Sequence, residues 1–152
     1  MNTDHTVSVL LGNGDGTFRP GSASPTGASP SHTAVADFNA DGKLDVATSN
    51  AGGDSLSVLL GNGDGTFGPA TTLPAGNYAF GVTAGDFNGD SKVDLATSNY
   101  LGDSVTVFQG NGDGSFQAAV AHPAGNRASN VEAADLDNDG KLDPAGRLHL
   151  HA

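Results

Sequence analysis

The run Asp37-Phe38-Asn39-Ala40-Asp41-Gly42-Lys43-Leu44-Asp45 carries an oxygen-bearing side chain at its first, third, fifth and ninth positions. The same pattern returns at Asp86-Phe87-Asn88-Gly89-Asp90-Ser91-Lys92-Val93-Asp94 and at Asp135-Leu136-Asp137-Asn138-Asp139-Gly140-Lys141-Leu142-Asp143. Carboxylates and amides crowded at alternating loop positions repel one another unless a hard cation lies between them. Calcium suits such a set, because it takes about six to eight oxygen ligands at roughly 2.3–2.6 Å in a tolerant geometry. The backbone carbonyl at the seventh position (Lys43, Lys92, Lys141) adds a further oxygen. One Ca2+ per loop, three per chain, is the expectation. Gly42 and Gly140 provide the positive φ that a loop wrapping an ion needs after its fifth position, where Ser91 fits less well.

An EF-hand would require Glu at the twelfth loop position and flanking helices. Here the twelfth positions are Thr48, Thr97 and Gly146, and β-like sequence follows the first two loops. The bland alternative is a metal-free turn, since Asn, Asp and Gly form turns for local reasons. Threefold recurrence of the full ligand pattern favours the metal.

Composition narrows the class of protein. At 152 residues the chain has single-domain length, enough to bury roughly two thirds of its unfolded surface. Of its 17 acidic residues only Glu132 is Glu, and Gly numbers 23, a balance that favours turns over long helices. The expected class is all-β. The formal charge is -11, and the three loops hold ten Asp, so three Ca2+ would bring the sum to -11 + 6 = -5. Without metal, that acidity should destabilise the compact state. Six Lys and Arg form no basic patch for nucleic acid or an anionic membrane, and no apolar run reaches the roughly 20 residues of a membrane helix. Cysteine is absent, which excludes disulfides and thiolate metal sites. Met1-Asn2-Thr3-Asp4-His5 lacks the basic and apolar start of a secretory signal.

The elements that must position the loops come from a repeat. Gly12-Asn13-Gly14-Asp15-Gly16-Thr17-Phe18 recurs at Gly61 to Phe67 and, with Ser115 for Thr, at Gly110 to Phe116; each step is 49 residues, as it is for the Asp-rich loops. A period near fifty filled with short β runs is the size of a four-stranded propeller blade. In one unit the strands are read as Thr33 to Ala36, Leu44 to Ser49, Leu56 to Leu60, and Thr66 to about Pro74, with the Gly-Asn-Gly-Asp-Gly hairpin between the last two. The next unit repeats the order from Val82 to Pro123.

These features resemble the FG-GAP or VCBS repeat family, the calcium-loop propeller repeats also found in integrin α-subunits and in some bacterial and fungal lectins. The carriers are the three Asp-x-Asn/Asp-x-Asp loops, the hairpins and Phe67-Gly68-Pro69. The resemblance spans residues 6 to 143 and implies a calcium-binding β-propeller module, extracellular or at the cell surface, with a binding or adhesive role that includes glycan recognition. The alternative is a self-assembling fragment of a larger repeat protein without a ligand site.

The chain, one repeat domain over 1–152, starts and stops in mid-blade. Residues 6–24 match the last two strands of a blade, and Asn130 to Asp143 match the first strand and metal loop of another. The count is about three blades, too few for a ring. Two chains head to tail would make six, so a homodimer is expected, with the N-terminal strands completing the partner's C-terminal blade. Pro144 places the second strand of that last blade in doubt.

No catalytic constellation stands out. His5, His32 and His122 share no periodic position and no Ser or Cys partner, and His149 with His151 read as solvated tail residues. Asp15, Asp64 and Asp113 read as turn formers, and Phe18, Phe67, Phe87 and Phe116 as core residues between blades. Positions that vary between repeats point to a ligand. Ser29, Tyr78 and Arg127 are equivalent, and Asn77-Tyr78 with Asn99-Tyr100 offers aromatic faces beside amides, a pairing suited to sugars.

Overall fold

The computed structural model describes residues 4–136 and 141–148. It holds strands only: β1 (Thr6–Gly12), β2 (Phe18–Pro25), β3 (Pro30–Ala36), β4 (Asp45–Asn50), β5 (Ser55–Leu59), β6 (Thr71–Pro74), β7 (Ala79–Gly85), β8 (Asp94–Asn99), β9 (Ser104–Phe108), β10 (Val120–Pro123), β11 (Ala128–Ala134) and β12 (Asp143–Leu148). They form two complete antiparallel meanders, β3-β4-β5-β6 and β7-β8-β9-β10, flanked by the two-stranded sheets β1-β2 and β11-β12. Within each sheet consecutive strands pair, and the 49-residue sequence period is a structural period.

In such a meander, the connections from first to second and third to fourth strand share one end of the sheet. The second-to-third turn and the link to the next sheet share the other. Sequence fills the first end with the Asp-rich loops and the Gly-Asn-Gly-Asp-Gly hairpins. At the opposite end lie Ala75–Tyr78 and Tyr100–Asp103.

The core lies between successive sheets. Ala47, Leu56 and Val58 of one sheet and Val82, Leu95 and Phe108 of the next enclose Phe38, and a second cluster joins Ala96 and Val105 to Val131 on β11. Because a sheet covers each side of it, β4 is buried at all six positions, as is its counterpart β8. Small polar residues fill these strands because neighbouring backbones come close. Gly81 marks that approach: a Cβ there would stand 3.0 Å from the Asn130 Cα on β11. The first strand of each unit carries a register shift at the same place, Pro30/Thr33, Ala79/Val82 and Ala128/Asn130.

Two expectations change. Despite Pro144, the second strand of the last unit forms, pairing Pro144 with Ala133. It is an edge strand with β11 as its one partner, and proline is tolerated at edges. Phe18, expected in the core, is 66% exposed: among the described residues no ring packs against it as Phe38 packs against its equivalent Phe116. Phe67, Phe87 and Phe116 are half-buried.

Candidate functional site

The Asp-rich loops are built by their own side chains. In the first, Asp37 accepts the N–H groups of Asp41 (3.2 Å) and Gly42 (2.8 Å), and the Asn39 amide oxygen accepts Asp41 N–H (3.2 Å). The second is the same with two added contacts: Asp86 accepts from Asn88 (3.3 Å), Gly89 (2.7 Å), Asp90 (3.2 Å) and Ser91 (2.7 Å), and Asn88 from Asp90 (2.9 Å). Asp41 and Asp90 in turn accept the N–H of Lys43 (2.9 Å) and Lys92 (3.0 Å), whose ammonium groups lie 3.2 and 3.7 Å from the same carboxylates. These bonds leave traces in acidity. Lys43 N–H, then its side chain, holds the Asp41 carboxyl below the usual range. At Asp86, desolvation pushes upward and is outweighed by the N–H groups of Ser91, Gly89, Asp90 and Asn88, so the net shift is downward.

The ninth-position carboxylates differ. Asp45 and Asp94 are fully buried, and each accepts one N–H from its own loop, Phe38 (2.8 Å) or Phe87 (3.0 Å), and one from the following hairpin, Gly61 (2.7 Å) or Gly110 (2.8 Å). They tie the two turns at this end of the sheet together. Among the described residues, no three His, Cys, Asp or Glu side chains converge as a ready metal cluster. The donor set is nonetheless all oxygen, the chemistry of a hard cation. Of the third loop, Asp135 is exposed, Lys141 is exposed ahead of β12, and Asp143 accepts Leu136 N–H (3.1 Å); Asp137 and Asp139 lie outside the described residues, as do His149 and His151.

The hairpins are closed by side chains as well. Asp64 accepts both the hydroxyl (2.6 Å) and the N–H (2.9 Å) of Thr66, and Asp15 and Asp113 do the same with Thr17 and Ser115. In each case the hydroxyl first, then the N–H, holds the carboxyl below its usual range. The third hairpin also sits on the Asp-rich loop of the preceding sheet, with Gly114 N–H donating to the Phe38 carbonyl (3.0 Å).

At the opposite end, Tyr78, Phe80 and Tyr100 gather. Tyr78 and Phe80 stack with ring centroids 6.1 Å apart, and Tyr100 stands 5.9 Å from Tyr78 and 6.2 Å from Phe80. The Arg127 guanidinium lies 5.8 Å over Tyr100, and His32 meets the far side of Phe80 at 4.9 Å. With Ser129 the three rings line a shallow depression. Tyr78 is placed there by a left-handed backbone (φ 58) whose N–H donates to Asp54 (2.7 Å), and Arg127 has the same conformation and the same contact with Asp103 (2.9 Å).

Two sequence-marked residues separate from this cluster. Asn99 is fully buried: its amide donates to Ser104 (3.0 Å) and Thr106 (2.8 Å), and its oxygen accepts Gly76 N–H (3.1 Å). Its role is to anchor the inter-sheet link, not to meet a ligand. Asn77 is exposed, and its carbonyl accepts Leu101 N–H (3.3 Å). Phe80 was missed by sequence reading. The signal was present, because its equivalents are Ser31 and Ser129, the same contrast that singled out Tyr78. A second cleft, between β2 and Thr66–Ala70, carries no charged or aromatic cluster beyond Phe67.

Comparison with known proteins follows the repeat. The sequence model described as FG-GAP-like repeat matches three times, over residues 1–48, 37–97 and 87–143. No curated protein sequence matches. Among solved structures, a lectin of Agrocybe aegerita, described as specifically recognising non-reducing terminal N-acetylglucosamine, is similar at a TM-score of 0.59 and 26% identity. The similarity covers 94% of this chain and 41% of the lectin's.

Proposed function

The chain belongs to the FG-GAP-like repeat family, and on that premise we propose that it is a calcium-stabilised β-propeller module, not an enzyme, that binds glycan on an aromatic patch. The ring has about three blades per chain and six in a homodimer, and it works outside the cell or at its surface. Ca2+ would be held by Asp37, Asn39, Asp41, the Lys43 carbonyl and Asp45; by Asp86, Asn88, Asp90, the Lys92 carbonyl and Asp94; and by the corresponding Asp135, Asp137, Asp139, Lys141 and Asp143. The metal supplies charge neutralisation and stiffness, with no part in a reaction. Asp45 and Asp94 accept two N–H bonds each, and a carboxylate has about four lone-pair sites, so coordination and the ties to the hairpins are compatible.

The observation that carries the glycan reading is that all three patch aromatics belong to one repeat. Tyr78, Phe80 and Tyr100 stand where the preceding repeat has Ser29, Ser31 and Ala51. A scaffold needs no such substitution. Aromatic faces offer apolar contact to sugar C–H surfaces, and the phenol hydroxyls and Arg127 offer directional donors. Terminal N-acetylglucosamine is the first sugar to test, since the similar lectin is described as recognising it. A glycan array in calcium buffer should light up with the parent chain. Tyr100→Ala should lose at least about tenfold in affinity, the size expected for one aromatic contact, at an unchanged melting temperature. Silence across a broad array sinks this reading.

A further inference from the structure

Resting on the calcium reading above, we infer that Lys43 and Lys92 set the calcium affinity of their loops, as tethered cations that neutralise the fifth-position carboxylate and must release it to the metal. Their place in the sequence is selective. Lys43, Lys92 and Lys141 are all the lysines of the chain, and each stands at the seventh position of an Asp-rich loop. That position offers an ion its backbone carbonyl, which any residue supplies, so ligation alone gives no reason for lysine. The side chain has a task of its own.

In the first loop, Lys43 engages both oxygens of Asp41: its N–H donates to Oδ1 (2.9 Å) and its ammonium to Oδ2 (3.2 Å). Lys92 repeats this on Asp90, with the N–H 3.0 Å from Oδ1 and the ammonium 3.7 Å from Oδ2. Both stems rest on the hairpin of their own sheet. A Cβ at Gly63 would stand 3.1 Å from the Lys43 Cδ, and one at Gly112 would stand 3.4 Å from the Lys92 Cδ. The Lys92 charge also reaches the hairpin carboxylate Asp113, adding to the stronger effect of the Ser115 hydroxyl and N–H in keeping that group acidic. An ammonium released from Asp90 therefore stays in the field of a second carboxylate.

Charge and exposure decide what the pairing does. The two lysine side chains are 45% and 44% exposed, so each head can leave its carboxylate without breaking a packed contact. The ammonium addresses one carboxylate, whereas a divalent ion draws on several loop oxygens at once. The lysine yields, and both its lost pairing and its nearby positive charge are subtracted from the affinity of the loop. Exposed ion pairs of this kind shift an equilibrium by about two- to fivefold. In return, the loop acidity is partly neutralised whenever calcium is scarce.

Calorimetric titration of the full chain with CaCl2 tests the assignment. Lys43→Met with Lys92→Met keeps both stems and drops both charges. In about 0.01 M NaCl, where screening is weak, it should bind calcium about two- to fivefold tighter at the altered loops. Lys43→Arg with Lys92→Arg keeps the charges and should bind no tighter than the parent. In about 1 M NaCl, at a Debye length of about 3 Å, the gap between the Met variant and the parent should close. In EDTA the Met variant should melt below the parent, because its loops have lost their counter-ions, and calcium should then raise its melting temperature by more. A Met variant that binds calcium no tighter than the parent, or an Arg variant that tightens equally, overturns the competitor and leaves the calcium module standing. Parent and variants alike silent to calcium overturn both readings. Binding that emerges in the Met variant alone supports the competitor.

Discussion

Asp45 and Asp94 sit among loop carboxylates, yet their burial gives them a different energetic role from Asp41 and Asp90. Removing one leaves two N–H groups unpaired, on half-buried Phe87 and buried Gly110 in the case of Asp94. At about 1–3 kcal/mol for each unsatisfied group, Asp94→Ala should cost about 2–5 kcal/mol by denaturant unfolding, and the loss should persist in EDTA. Asp90→Ala should lower stability only when calcium is present. Equal losses in both buffers for both variants would show that neither carboxylate meets a metal. The hairpin carboxylates Asp15, Asp64 and Asp113 titrate below their ordinary value of 3.8. A carboxyl lowered by folding contributes stability above its unfolded value, and that contribution is lost as pH falls through the folded value. The melting temperature should therefore drop as pH falls below about 4, and Asp64→Asn should flatten this acid limb in a melting series against pH. Residue types and spacing made these loops and turns legible. They did not separate Asn99 from Tyr100, because Asn99 ends β8, which is buried on both faces, whereas Tyr100 opens the turn that follows it.

Both described Asp-rich loops, 37–45 and 86–94, use the left-handed region twice, at their fourth and sixth positions, and each has glycine at just one of them. Ala40 (φ 58) precedes Gly42 (φ 80) in the first, while Gly89 (φ 79) precedes Ser91 (φ 65) in the second. The sequence reading caught the need at position six and missed it at position four, since a single glycine per loop hides a second left-handed residue. A side chain in this conformation costs roughly 1–2 kcal/mol, partly offset in glycine by its greater unfolded freedom. Ala40→Gly and Ser91→Gly should each stabilise by about 0.5–1 kcal/mol in denaturant melts; a destabilisation would mean that loop contacts of the side chain outweigh backbone strain. Glycines in the links answer to space instead. A Cβ at Gly76 would stand 2.5 Å from the Asn99 side chain, so Gly76→Ala should cost about 1–3 kcal/mol. Strand order and hairpin placement were readable from turn residues and period. Boundaries were less so: β3 starts at Pro30 and not Thr33, because the register shift lets an irregular segment keep pairing, and β4 lacks alternation because it is buried on both faces.

For the whole molecule, acidity and architecture are coupled, because the meander gathers the Asp-rich loops and the Asp-bearing hairpins at one end of the sheets. The repeat made that arrangement inferable from sequence, whereas the exposed state of Phe18 and Leu136 was not, since it depends on which sheet stands beside a residue and not on the local letters. Like charges at close quarters repel over a distance set by salt, with a Debye length of roughly 30 Å at 0.01 M and 10 Å at 0.1 M. With a net charge of -11 and no metal, raising NaCl across that range in EDTA should raise the melting temperature by a few degrees, about 1 kcal/mol at this chain length. With three Ca2+ bound the sum is -11 + 6 = -5 and the repulsion at the loop end is cancelled locally, so the same salt series in calcium should be nearly flat. The two curves should also approach each other at high salt without meeting, because screening removes repulsion but does not replace ligation. Coincident curves at every salt concentration would mean that the loops are held by their own hydrogen bonds alone, with the Asp37 and Asp86 networks sufficient to close them.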